Sequence, residues 1–318
     1  MSLAYVSEVE ATERFDCFAG QCAVLVSGQV AGASAPEAAR WAKSKLERWD
    51  REFSRFDPAS ELSRLNADPR RTVHVSRAMA RFVESLVAAA IMSDGLVDGT
   101  LVAEIEAAGY AGDLAADPLP LAAALRVIPG RQPAAPARLA RWQQIRVDRA
   151  ARNVTRPPGV RFDTGGIAKG LFGDLLALSL GHHTAFVVDA AGDLRFGGWG
   201  QLVRPVQVAC PFTGSILHTF ELTTGAAATS GIGNRSWVGA NGLPAHHLLD
   251  PSTGRPAFTG IVQATALAPS GVEAEVLSKA AVLSGPAEAR RWLPHGGLIV
   301  LDDGGFEIVE PFTSSLTR

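Results

Sequence analysis

Two stretches of the chain hold the residue types that chemistry uses. The first is DTGGIAKG, Asp163 to Gly170. Glycines opening a helix leave backbone N–H groups free, and Lys169 adds charge, so the segment suits phosphate oxygens. The full phosphate-loop pattern is absent, because Lys169 is followed by glycine and the first spacing fails. The same residues read equally well as a tight turn followed by an exposed helix lysine. Asp163-Thr164-Gly165 is also the tripeptide of aspartic proteases, which need two facing copies sharing a proton; this chain has one. The second stretch is ATSGIGNRSW, Ala228 to Trp237, followed by AHHLLDPSTGRP, Ala245 to Pro256. It sets His246, His247 and Asp250 in loop-like surroundings. A histidine there can act as a general base, or serve equally as a hydrogen-bonded structural residue.

The elements that must position these residues are partly legible. Phe15 to Ser27 is β-compatible, with Gly20 as a candidate bulge. Ser34-Ala35-Pro36-Glu37 predicts a helix start. That helix carries Lys43–Glu47, Glu47–Arg51 and Arg48–Glu52 at i,i+4 on a wet face. Ser60 and Ser76 predict two further helix starts, the second helix ending at Asp94-Gly95. Gly112 to Pro136, rich in Ala, Pro and Asp, reads as a surface excursion. Beyond it, short strands are expected at Gln144–Val147 and Asn153–Arg156, and a helix after DTGGIAKG to about Leu180. Strands follow at Thr184–Asp189, Val203–Ala209, Ile216–Leu222 and Val262–Ala268. A helix covers Val272 to Leu283, and a hairpin pairs Leu298–Leu301 with Phe306–Val309. Strands and helices mix without strict βαβ alternation, which favours α+β.

Composition narrows the function classes. The chain has 318 residues, 47% hydrophobic and 19% charged, enough for a sizeable core. Lys plus Arg number 30 and Asp plus Glu 32, a formal net charge of -2. That balance argues against nucleic acid as a partner and against a polybasic membrane surface. No apolar run approaches the ~20 residues of a membrane helix, so no membrane insertion is expected. MSLAYVSEVEATER is acidic and does not read as a secretory signal. Cys17, Cys22 and Cys210 form no CxxC and read as free thiols in a reducing, cytoplasmic setting.

Taken together, seven segments in order resemble the ApbE-type FAD:protein FMN transferases, or flavin transferases. They are FSRFDPASELSRLN, SDGLVDGTL, FDTGGIAKG, VVDAAGDLRFGG, ATSG, HHLLDPSTGRP and AEVLSKAAVLSG, and the resemblance as a whole covers about residues 15 to 285. The resemblance implies one α+β domain over 1–318, with mixed and antiparallel sheets packed with helices in the ApbE-like (T-fold-like) manner. It implies FAD as substrate, an acceptor flavoprotein with a target threonine, and AMP as leaving group. An FAD pyrophosphatase of the same fold and a non-catalytic FAD binder are the alternatives.

Residue by residue, the resemblance implies that Asp163 and Lys169 contact FAD and that the Gly166 carbonyl faces a metal, Mg²⁺ in the family. It places Ala19, Leu96, Val97, Asp98 and Leu249 along the flavin site, and makes His247 the candidate base for the acceptor threonine. Ala19-Gly20-Gln21 stands where the family usually has Met-Gly-Thr. Phe56 keeps the ring of a usual tyrosine and loses its hydroxyl. The largest departure lies at Glu275 and Lys279, where the family has an aspartate and a threonine that ligate the metal. A protonated lysine cannot ligate a metal. Lys279 either replaces the metal as a fixed cation positioned by Glu275, or forms an ordinary i,i+4 salt bridge beside a degraded metal site, or points to solvent while Glu275 still binds the ion.

Overall fold

The computed structural model describes residues 10–28, 33–112, 119–128, 130–239 and 242–312. Hairpins build its centre. Strands β1 (Ala11–Cys17), β2 (Gly20–Ser27), β3 (Ala185–Ala190), β4 (Asp193–Gly197), β5 (Gly225–Gly231), β6 (Ile261–Ala268), β7 (Gly297–Leu301) and β8 (Phe306–Val309) lie side by side in chain order. Every neighbouring pair is antiparallel. Side chains alternate between the two faces of such a sheet. Phe186 and Val188 of β3 therefore enter one core, while Val187 enters another with Phe196, Ala227 and Val206. Val206 belongs to the hairpin of Arg204–Ala209 with Ile216–Leu222, which covers that second face.

The expected bulge at Gly20 is instead a hairpin. Phe18 and Ala19 both take positive φ, 55° and 56°, the signature of a tight turn whose twist matches paired strands. Gly20 pairs with Cys17, and a Cβ there would lie 2.9 Å from the Ala191 side chain.

Seven helices are described: α1 (Ala35–Glu52), α2 (Glu61–Ala67), α3 (Arg77–Met92), α4 (Val102–Ala107), α5 (Leu121–Val127), α6 (Ala168–Leu180) and α7 (Gly271–Ser284). Ser34 caps α1 in a capping box with Glu37, and Ser60 and Ser76 cap α2 and α3. Of the expected i,i+4 pairs on α1, Arg48–Glu52 closes at 2.7 Å, whereas Lys43 reaches across to Glu13 on β1 at 3.5 Å. The stretch near 112–136 is more than a surface excursion. Leu121 and Ala124 of α5 are buried, and the Gln132 and Ala134 amides donate to Phe258 and Leu283 carbonyls. Residues 113–118 and 129 of that stretch lie outside the described residues. The expected strands of the middle region are observed as Arg146–Asp148 and Asn153–Thr155, joined by Thr72–His74 into a small sheet.

Helices α1, α6 and α7 pack on the face opposite the covering hairpin, α6 over β3 and β4 and α7 over β5 and β6. Small residues decide how closely they approach. The α6 and α7 backbones meet at Gly170 and Gly271, where a Cβ on Gly271 would lie 2.5 Å from the Gly170 carbonyl oxygen. Each helix also caps the other. Asp174 of α6 accepts the Gly271 and Val272 amides at the start of α7, at 2.8 and 3.0 Å. Glu275 of α7 accepts the Gly170 amide in the first turn of α6, at 2.8 Å. First-turn amides have no partner within their own helix, and carboxylates suit the positive end of the dipole.

The crossing predicts its own weak point. Gly271→Ala is expected to destabilise the fold by about 1–3 kcal/mol, because backbone on both sides leaves no flexible side chain to yield. Urea unfolding followed by circular dichroism measures this, and an unchanged midpoint would show that the crossing tolerates the methyl group.

Candidate active site

A cavity of about 520 Å³ opens at the α6–α7 crossing. Its wall draws on the β1–β2 turn (Ala19), the segment after α1 (Arg55, Phe56), the α3–α4 connection (Leu96, Val97, Asp98) and the approach to α6 (Asp163 to Gly166, Lys169). The later loop supplies Arg235, His247 and Leu249, and α7 supplies Lys279. Eleven of the residues singled out from the sequence thus share one cavity: Ala19, Phe56, Leu96, Val97, Asp98, Asp163, Gly166, Lys169, His247, Leu249 and Lys279. Glu275, the twelfth, lies directly behind Lys279.

The outer part is organised by Arg55, whose side chain is 6% exposed. Its Nε lies 2.9 Å from Asp163 Oδ2, and its Nη2 donates to the Tyr110 carbonyl at 3.0 Å. Its guanidinium carbon sits 4.4 Å from the Phe56 ring centroid and 5.0 Å from that of Tyr110. The two rings meet edge to face at 5.4 Å, and Tyr110 stacks on Trp237 at 5.5 Å. This is an aromatic shelf held in place by a buried cation. Asp163 does local work as well: its Oδ1 accepts the Gly165 amide at 2.6 Å, and its own amide donates to the Gly99 carbonyl. The DTGG turn is thereby stitched to the segment that bears Asp98. Asp98 Oδ1 accepts the amide and hydroxyl of Thr100, at 2.8 and 2.6 Å. Burial raises its pKa, with the Thr100 hydrogen bonds pulling the other way.

The inner part is a charge cluster. Lys169 Nζ lies 2.5 Å from Asp193 Oδ2, and Lys279 Nζ lies 3.1 Å from Glu275 Oε1. Burial opposes the Lys169 charge, yet Asp193 and Glu275 hold its pKa above the ordinary lysine value. Glu275 is 1% exposed, and both its oxygens are engaged, Oε1 by Lys279 and Oε2 by the Gly170 amide. This pair does not fit a divalent metal: the carboxylate has donors on both oxygens, and a cation sits four residues along the same helix face. Arg235 has no carboxylate within ion-pair distance among the described residues; its Nη2 reaches the Phe18 carbonyl at 3.4 Å.

His247 stands among these cations. Burial first, then Arg235, the neighbouring His246 and Lys279, hold its pKa well below the ordinary imidazole value. Its Nδ1 is buried and has no hydrogen-bond partner among the described residues. A neutral imidazole with an unpartnered ring nitrogen can accept a proton, and His247 lines the cavity wall. His246 is different. It is 1% exposed, packs on Phe258, accepts the Leu248 amide through Nδ1, and burial lowers its pKa to about 3. The Asp250 carboxylate shapes the DPST turn, bonding Ser252 and Thr253 and accepting the Ala135 amide.

The sequence profile of the ApbE family matches residues 21–301. The chain belongs to the ApbE family. A curated relative, the FAD:protein FMN transferase of Salmonella typhimurium, is 25% identical over 234 residues, covering 71% of this chain and 65% of that protein. The ApbE protein of Thermotoga maritima is similar in structure, with a TM-score of 0.77, 27% identity and coverage of 95% of this chain and 97% of that one. The flavin transferase ApbE of Vibrio cholerae shares the fold at a TM-score of 0.71 and 19% identity, over 96% of this chain and 98% of that one.

Several residues of this ApbE-family site went unnoticed in the sequence. Arg55 lies inside the segment FSRFDP, but nothing local marks it as buried. Tyr110 joins Phe56 only through the fold. Arg235 and Asp193 likewise gain their places from loops far apart in sequence. No helix among the described residues is long and apolar enough to cross a membrane.

The electrostatics give a direct expectation. In an NMR titration His247 should protonate well below pH 6.5, and Arg235→Gln should raise its midpoint, because removing a nearby cation favours the imidazolium. A midpoint at or above 6.5 in the unaltered protein would contradict this description of the cluster.

Proposed function

We propose that this chain is an FAD:protein FMN transferase, which moves the FMN half of FAD onto a threonine hydroxyl of an acceptor flavoprotein and releases AMP. The carrying observation is that one cavity joins an aromatic shelf to a cluster of cations surrounding a neutral histidine. A dinucleotide has both requirements: a flat ring system, and a diphosphate. On this reading the isoalloxazine ring lies against Phe56 and Tyr110, with Asp98, Leu96, Val97, Ala19 and Leu249 around it. The diphosphate lies against the DTGG turn, Lys169 and Lys279.

Phosphoryl transfer asks a protein mainly for alignment and charge neutralisation. The acceptor oxygen forms the new bond to the FMN phosphorus while the bridging bond to AMP breaks. The hydroxyl proton passes to the imidazole of His247. The single-domain organisation belongs to the same proposal, because the cavity wall draws on residues from Phe18 to Leu283 and no division of the chain leaves it whole. Free Cys17, Cys22 and Cys210 support a reducing, cytoplasmic setting.

Incubation with FAD and a candidate acceptor tests the reading. AMP release together with a covalently flavinylated acceptor supports it; AMP release without flavinylation would make the chain a pyrophosphatase, and binding without AMP a flavin binder. His247→Ala should lower turnover by about 10²–10⁴-fold with FAD binding nearly intact. Lys169→Gln, which keeps a donor for Asp193, should weaken FAD binding by about 1–3 kcal/mol in fluorescence quenching. The pH profiles carry a sign. The acid limb of kcat/KM, which reports the free enzyme, should lie well below pH 6.5. The limb of kcat should lie higher, because a bound diphosphate favours the imidazolium.

A further inference from the structure

We propose that the buried ammonium of Lys279, seated on Glu275, is the resident cation that neutralises the diphosphate, so that transfer by this chain proceeds without a divalent metal. The inference rests on the transferase reading above and deepens it.

Lys279 sits in the middle of α7, 7% exposed, with its side chain in the cavity wall. An ammonium has three donors, and Glu275 is the one hydrogen-bond acceptor it meets among the described residues. A buried ion pair is weak evidence for stability, since apolar residues of similar volume often serve a core as well. Its place at a cavity wall, in a buried helix made mostly of Ala, Val, Leu and Ser, points to a ligand instead.

Glu275 is not available to a metal. A divalent ion would have to displace Lys279 from Oε1 or the Gly170 amide from Oε2. The first leaves an ammonium beside a dication. The second leaves a first-turn amide of α6 without its acceptor at the crossing. The surrounding charge already favours an anion. Lys169, Lys279 and Arg235 face two carboxylates, Asp193 and Glu275, while His247 is kept neutral. At the inner end Lys169, Lys279 and Arg235 line the cavity wall, while Asp193, Glu275 and Asp189, the last within electrostatic reach of Lys169, stand behind them. In the transfer step the bridging P–O electrons go to AMP, and Lys279 hydrogen-bonds the oxygen that gains charge while keeping its own proton.

The test uses the whole protein. FAD is titrated by fluorescence quenching in EDTA and in excess MgCl₂, and MgCl₂ is titrated calorimetrically into the protein–FAD complex. Equal FAD affinity in both buffers, no stoichiometric Mg²⁺ binding and AMP release that survives EDTA are expected. Lys279→Met should weaken FAD binding roughly ten- to a hundred-fold, the worth of a hydrogen bond to a charged group. Because that variant strands a buried carboxylate, the double variant E275Q/K279M removes the pair without an unpaired charge and should show the same loss. Lys279→Thr should make FAD binding Mg²⁺-dependent. Stoichiometric Mg²⁺ binding by the unaltered protein, or AMP release abolished by EDTA and restored by Mg²⁺, would overturn the metal-free proposal and leave the transferase reading intact. Failure to bind FAD in either buffer would instead remove the transferase reading, and this inference with it.

Discussion

The carboxylate of Glu275 is the constraint around which the rest of the molecule is arranged. It is a buried charge, and a buried charge is tolerated only when hydrogen-bonded and paired. Its two partners come from different places: the Gly170 amide at the start of α6, and Lys279 one turn along α7. Satisfying one carboxylate therefore fixes the approach of two helices and the position of one cavity-lining cation. Asp174 does the reciprocal work from the other helix. The glycines at the crossing follow from the same demand, because the carboxylates reach the opposite helix start only when the backbones touch.

Charge is distributed in the cavity by the same logic. Each lysine of the inner end is held by a carboxylate, Lys169 by the first residue of β4 and Lys279 by a residue one turn back on its own helix. Asp193 and Glu275 keep the two lysines in place, and Arg235 adds a cation with no carboxylate within ion-pair distance among the described residues. Arg55 plays the corresponding part at the mouth, where one guanidinium holds Asp163, Phe56 and Tyr110 together. The proposed transfer works by alignment, which needs its groups fixed in advance, and here Arg55, Lys169 and Lys279 are fixed by ion pairs to Asp163, Asp193 and Glu275.

Local chemistry made much of the architecture legible. The serine caps of α1, α2 and α3, the helix after DTGGIAKG and the terminal hairpin each depend on near neighbours in sequence, so their residues announce them. Strand β5, GAAATSG, announced nothing: alanine and glycine have little β-propensity. It is a strand because β4 and β6 pair with it on either side, and its small residues let α7 lie directly over it. The hairpin turn at Phe18-Ala19 was hidden for a related reason. Its two residues take a conformation usually left to Asn and Gly, and the pairing of β1 with β2 imposes it.

The site divides along the same line. Several candidate residues were legible in the sequence, since a lysine after a glycine turn, a paired histidine and an i,i+4 Glu–Lys pair are local patterns. Which histidine faces the cavity was not: His246 and His247 are adjacent, and the end of the short strand Pro244–His246 leaves His246 packed on Phe258 in the core while His247 joins the cavity wall. Nor was the fate of Lys279, which a helical pattern alone would place equally well in solvent. The tertiary structure decided it, because α7 is buried on all sides and Glu275 is the carboxylate within the ammonium's reach. Types and spacings travel with the chain, whereas burial and long-range pairing exist only once distant segments have packed.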